Sequence, residues 1–168
     1  LFFKEMGGVE YVFARKSSKG TDTAALLPEA LPGLVTSLHF PKNMRWGSHE
    51  LRYVRPIRWL VALYGTDVVS FEIAGVKSGR TTRGHRFLGS DTDIQQPAEY
   101  VESLRRQHVL ADVEERKAAI LKGIHDLASE RGWQIPVKED LLEEVLFLVE
   151  TPTVLSGSFD PAFLDIPQ

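Results

Sequence analysis

The chain has 168 residues, no cysteine and a formal charge of −3, with 43% hydrophobic and 26% charged residues. That balance belongs to a globular chain of one ordinary domain, or two small ones sharing a core, and it excludes intrinsic disorder. It also excludes a disulfide framework, a thiolate metal site and, with no apolar run long enough, a membrane-spanning helix.

The charge is unevenly spread. Between Lys42 and Arg86 nine bases face three acids, a local +6 that leaves −9 for the remainder. A near-neutral protein with one basic segment can still attract a polyanion locally.

Val9, Tyr11 and Phe13 alternate with polar partners and predict a half-buried strand over 9–15. Ser17 to Thr21 reads as a turn around Lys19-Gly20. Leu26, Leu27, Ala30, Leu31, Leu34, Val35 and Leu38 then form one helical stripe, expected to be a core helix. Pro28 and Pro32 lie off that stripe, so the helix either begins near Leu27 or is kinked at Pro32. Phe40 to Gly47 is irregular and mixes Lys42 and Arg45 with aromatics. Such interleaving can mean base stacking, but more often such aromatics anchor a loop to the core. Arg55 and Arg58 precede an apolar run, Leu60–Tyr64. Gly65-Thr66-Asp67 turns that run back into 68–73, so a β-hairpin is expected.

The most distinctive stretch follows directly: Lys77-Ser78-Gly79-Arg80-Thr81-Thr82-Arg83-Gly84-His85-Arg86-Phe87-Leu88-Gly89. It carries four bases and no acid. Guanidinium forks suit phosphate, hydroxyls can line a phosphate site, and glycines let a backbone come close to a ligand. Lys77, Arg80, Thr81, Thr82, Arg83, His85 and Arg86 are therefore candidate RNA contacts, with Lys42, Arg45, Arg55 and Arg58 as further basic ones. The alternative is a polar connection whose arginines pair with Glu72 and Asp91.

Beyond Gly89 the chain turns acidic and helical. Pro97 suits a first helical position, and Tyr100, Val101 and Leu104 give a short stripe ending near Gln107. Residues 109–111 are a strand candidate. Asp112 with Glu115 makes an acidic capping box, and the helix it starts carries Val113, Ile120, Ile124, Leu127 and Ala128 inward until Gly132 ends it. A last helix runs from about Glu139 to Val149, and Thr153 to Leu155 is a second strand candidate. The fold class expected is α+β, a predominantly antiparallel or mixed sheet covered by helices. It is read as one globular unit over 1–168, with a sub-boundary at 90–96 between a basic β-rich half and an acidic helical half.

Catalytic patterns are missing. There is no Walker A or dinucleotide glycine fingerprint, no Gly-x-Ser-x-Gly, and His39, His49, His85, His108 and His125 lack zinc spacing. His125-Asp126 sits in an amphipathic helix without further partners, and Glu114-Glu115 and Glu143-Glu144 read as cap or solvent residues. No metal and no catalytic residue is expected.

Phe40-Pro41-Lys42-Asn43-Met44-Arg45-Trp46-Gly47, Val54-Arg55-Pro56-Ile57-Arg58-Trp59, Phe71-Glu72-Ile73 and Gly79 through Gly89 together resemble the beta subunit of bacterial-type glycyl-tRNA synthetase. Ala111 through Lys117, Asp140 through Val145 and Gly157-Ser158-Phe159-Asp160 extend the match over nearly the whole chain. Thr151 departs from it, standing where the family pattern has tryptophan. The resemblance implies a class II synthetase of two alpha and two beta chains in the cytoplasm. Its alpha chain uses ATP and magnesium to form the adenylate, and its beta chain recognises tRNA for glycine. It implies no cofactor in this stretch, similarity to the editing-type domain of the phenylalanyl-tRNA synthetase beta chain, and further domains beyond Gln168. The start at Leu1 and the end at Asp165-Ile166-Pro167-Gln168 accordingly lead one to expect an excised piece. The role expected on this footing is a non-catalytic tRNA-recognition module, with hydrolytic editing of mischarged tRNA or a structural or subunit-interface part as the alternatives.

Overall fold

The structure is a computed structural model, which describes residues 1–165. The end at Ile166-Pro167-Gln168 lies outside them. Among the described residues the fold is α+β, built of short antiparallel pairs, one mixed three-stranded sheet and four α-helices. The chain divides into two compact units, Leu1–Arg55 and Pro56–Gln168. Residues 90–96 fall within the second, where Ile94 is fully buried.

In the first unit, β1 (Phe2–Met6) pairs antiparallel with β2 (Val9–Phe13). Gly7 and Gly8 at φ +63° and +79° make the two-residue turn, a geometry that glycine pairs adopt without steric cost. The strand at 9–13 is as expected, but its burial is not: Val9, Tyr11 and Val12 are exposed and only Phe13 is half-buried. α1 (Thr23–Thr36) starts earlier than Leu27, because Asp22 caps it by accepting from the Ala24 amide at 3.2 Å. Both prolines lie inside it. Leu27, Pro28, Leu31, Pro32 and Val35 are its half-buried residues, so the prolines join the packed face, and no residue of this helix is fully buried.

The second unit opens with β3 (Leu60–Val61) and β4 (Leu63–Tyr64), which face different partners. β4 and β5 (Asp67–Val68) form the expected hairpin, with Gly65 at φ +62° in the turn. β3 instead pairs parallel with β7 (Val76–Gly79), which also pairs antiparallel with β6 (Glu72–Ile73). Ala62 is the pivot: its N–H donates to the Gly79 carbonyl at 3.1 Å, and its carbonyl accepts from Val69 at 3.0 Å. β8 (Thr81–Arg83) and β9 (Asp91–Asp93) complete the β part as an antiparallel pair. Val69, Ile73, Thr82 and Ile94 are buried here.

A 3₁₀ turn at Pro97–Glu99 leads into α2 (Tyr100–Arg106), whose Leu104 is buried while Tyr100 and Val101 stay exposed. α3 (Val113–Arg131) is capped by Asp112, which accepts from Glu115 N–H at 2.9 Å, and it ends at Gly132 with φ +64°. Only half of the expected capping box forms, because the Glu115 carboxylate turns to Arg105 instead. Ile120 of α3 packs with Leu142 and Leu146 of α4 (Glu139–Leu148), supported by Ile124, Val145 and Val149. Arg116 crosses between these helices, donating to the carbonyls of Leu146 at 2.9 Å and Leu110 at 2.6 Å.

The two strand candidates at 109–111 and 153–155 are not strands. Leu110 makes one backbone bond to Glu150 at 3.0 Å, and Val154 packs instead against Gly123 of α3. Thr151, where the family pattern has tryptophan, donates its hydroxyl to the His108 carbonyl.

Candidate nucleic-acid interface

The basic stretch is not a loop. Its first part is the strand β7, its second the strand β8, and only residues 84–90 form the connection to β9. This splits the candidate residues by role. On β7 the Ser78 hydroxyl donates to the Val69 carbonyl at 2.7 Å and accepts from the Phe71 amide at 2.9 Å. It therefore stitches the irregular segment 69–71 to the sheet and is spent inside the protein. Lys77, cross-strand from Glu72, is exposed, and no ion pair is formed by it among the described residues.

Arg80 is half-buried and internally satisfied, donating to the Thr66 carbonyl at 3.0 Å and to Gln95 Oε1 at 3.1 Å. Its fork ties the β4–β5 turn to the segment after β9. Thr81 donates to Asp93 Oδ1 at 2.6 Å across the β8–β9 pair, and Thr82 is only 4% exposed. Neither hydroxyl is presented to a ligand as the sequence alone had led one to expect, and Thr82 is withdrawn from solvent altogether.

Arg83 is different. Its Nε lies 3.7 Å from Asp91 Oδ1, with both side chains more than half exposed at 52% and 61%. Its guanidinium sits 5.3 Å from the Trp59 ring centroid, within cation–π range. A solvated pair at this distance is a weak tether. The Asp91 pairing that the sequence left open as an alternative is thus present, with the Arg83 side chain still more than half exposed. Arg86 is exposed and forms no ion pair among the described residues.

The connection 84–90 is held against the end of α2. His85 N–H donates to the Gln107 carbonyl at 2.9 Å, and Ser90 N–H donates to Gln107 Oε1 at 2.8 Å. Gly84 N–H reaches the Ser90 carbonyl at 3.0 Å, and Gly89 N–H the His85 carbonyl at 2.9 Å. His85 Nδ1 accepts from the amides of Leu88 at 3.2 Å and Phe87 at 3.3 Å, which places its ring proton on Nε2. The imidazole is therefore first a fastener of the loop. Gly84 and Gly89 are required by this docking: a Cβ on Gly84 would stand 2.6 Å from Gln107 Cβ, and one on Gly89 would stand 2.8 Å from the His85 amide. Their close approach is to the protein's own chain, not to a ligand. Gln107 carries no sequence signal beyond its place at a helix end, and Phe87, exposed on this loop, stands out in the sequence only through the family pattern.

The remaining basic candidates divide between the two units. In the first unit Arg45 pairs with Glu50 at 3.1 Å, Arg55 donates to the Val54 carbonyl at 3.1 Å, and Lys42 is exposed. Arg58, in the second unit, is exposed. No cluster of metal-ligating side chains occurs among the described residues, and no helix there is long and apolar enough to cross a membrane.

A sequence profile of the family described as "Glycyl-tRNA synthetase beta subunit" matches residues 1–168. The chain belongs to the glycyl-tRNA synthetase beta subunit family. Its relatives include the glycine–tRNA ligase beta subunits of Bacillus subtilis (strain 168), 56% identical over 168 residues, and Shouchella clausii (strain KSM-K16), 54% identical over the same length. That of Listeria monocytogenes serotype 4a (strain HCC23) is 48% identical. Each match covers 100% of this chain and 24–25% of the relative, so the chain spans about a quarter of the length of these glycyl-tRNA synthetase beta subunits.

Proposed function

We propose that this chain is a non-catalytic tRNA-recognition module of a glycine–tRNA ligase beta subunit, supporting charging of tRNA for glycine by a cytoplasmic enzyme. The observation that carries the reading is the exposed cationic set Lys77, Arg83 and Arg86, borne on two strands and one fixed loop. Phosphate contacts fix an RNA in register and need cations on a rigid support, which strands supply better than mobile loops. Arg83 can exchange its weak Asp91 tether for a phosphate while keeping Trp59 beneath it. Arg80 serves the same site as a structural member rather than as a contact.

In this reading ATP, magnesium and adenylate chemistry belong to an alpha subunit, and the rest of the beta subunit supplies further tRNA contacts. The test is titration of the full-length protein with tRNA at low and moderate salt. Phosphate contacts make the affinity fall steeply between the two. A salt-independent affinity, or none, would leave the basic strip a structural or subunit-interface feature. Hydrolytic editing predicts that the protein deacylates mischarged tRNA; the recognition reading predicts that it does not.

A further inference from the structure

Phe87 is 84% exposed at the tip of the loop between β8 and β9, and Leu88 beside it is 59% exposed. A phenylalanine on a mobile loop would fold onto the nearest apolar surface, since leaving it in water forfeits its burial free energy. Here it cannot. The amides of Gly84, His85, Gly89 and Ser90 are all hydrogen-bonded, that of His85 to the Gln107 carbonyl and that of Ser90 to Gln107 Oε1, and the His85 imidazole holds the amides of Phe87 and Leu88 from behind. The ring centroids of His85 and Phe87 stand 6.2 Å apart, too inclined at 55° to stack on one another, so the face of Phe87 is not taken up by its neighbour. Next to it in the chain is Arg86, exposed and without an ion pair among the described residues.

We infer that Phe87 is a stacking platform for one unpaired base of the bound RNA, flanked by phosphate contacts from Arg86 and Arg83. This rests on the phosphate-contact reading above and sharpens it. The RNA element met by this loop is single-stranded, because a base inside a duplex already has both faces stacked. An aromatic platform beside guanidinium groups is how sequence-tolerant single-strand contacts are built, and the rigid loop supplies the platform without an ordering cost on binding. The cationic surroundings favour a polyanion over a second protein surface as the occupant.

The experiment compares the full-length protein with Phe87→Ala, Phe87→Trp, Arg83→Ala and Arg86→Ala, each checked for an unchanged thermal midpoint. The probes are tRNA, a single-stranded RNA of about ten nucleotides and a blunt RNA duplex of the same length. Phe87→Ala is expected to weaken tRNA and single-strand binding by about fivefold to a hundredfold, with the salt slope unchanged and duplex binding unaffected. Phe87→Trp is expected to restore it. Native affinity in Phe87→Ala alongside weakened binding in Arg86→Ala overturns the stacking platform and leaves the phosphate reading standing. Equal weakening for duplex and single strand overturns it too, as does unchanged RNA affinity with altered self-association or partner binding. Native affinity in Phe87→Ala and in both Arg83→Ala and Arg86→Ala would remove both readings together.

Discussion

Replacing Gly84 by alanine tests whether the loop is as rigid as its bonds imply. Neither Gly84 nor Gly89 has a positive φ, so the penalty is one of space alone. The added methyl would sit 2.6 Å from Gln107 Cβ, 2.8 Å from the Gln107 carbonyl oxygen and 2.9 Å from the Ser90 carbonyl oxygen. Carbon atoms pack at about 3.5–4.0 Å, so something must move by roughly 1 Å. If the loop stays docked, the overpacking costs about 1–3 kcal/mol. If it lifts away, it loses three bonds to Gln107, from His85 N–H to its carbonyl and from the Ser90 N–H and hydroxyl to its Oε1, at about 1 kcal/mol each. Both routes converge on about 2–3 kcal/mol, which for a chain of this size lowers the thermal midpoint by about 5–10 °C. Gly79→Ala is the control, because a Cβ there meets nothing within 4 Å and φ is not positive. It should leave the midpoint unchanged or raise it slightly. The assay is thermal unfolding with hydrogen exchange at the amides of 84, 85, 89 and 90. A Gly84→Ala protein with the native midpoint and native protection would refute the fixed-loop argument.

Other consequences are more local. Asp112→Ala removes the cap on α3 and should cost about 1 kcal/mol in chemical denaturation; an unchanged midpoint would show that the cap is not needed. Arg80→Ala should lower stability by about 1–2 kcal/mol through loss of its bonds to Thr66 and Gln95, while the salt dependence of tRNA binding stays native. The Arg105 guanidinium, in bidentate contact with Glu115, holds that carboxyl below its ordinary value of 4.5. A depressed carboxylate stabilises the fold above about pH 4.5 and ceases to do so as pH falls through its lowered folded value. Arg105→Met should therefore flatten the acid limb of the stability–pH curve, and an identical limb in both proteins would contradict the pairing.

How far the sequence foretold these features depends on what specifies each one. The β4–β5 hairpin, the Asp112 cap and the Gly132 stop were legible because each is set by a few adjacent residues of fixed chemistry. β1 was not, since Phe2-Phe3-Lys4-Glu5-Met6 does not alternate and the structure buries neither of its faces. β7 and β8 were hidden for another reason: Lys77-Ser78-Gly79 and Thr81-Thr82-Arg83 become strands through cross-strand bonds and the Ser78 hydroxyl, none of them local in sequence. The same nonlocality divides the basic residues. Arg80 and Arg83 look alike in the chain, yet one finds Thr66 and Gln95 and the other finds Trp59 and open solvent.

The central claim, that the exposed arginines of this strip meet RNA phosphate, is tested most directly by the slope of log affinity against log salt. The comparison is between the native protein and Arg83→Ala/Arg86→Ala, with full-length protein and tRNA, at matched thermal midpoints. Loss of two phosphate contacts should weaken binding at low salt and reduce the slope by roughly two. A double variant that folds normally and keeps both the native affinity and the native slope would contradict the account.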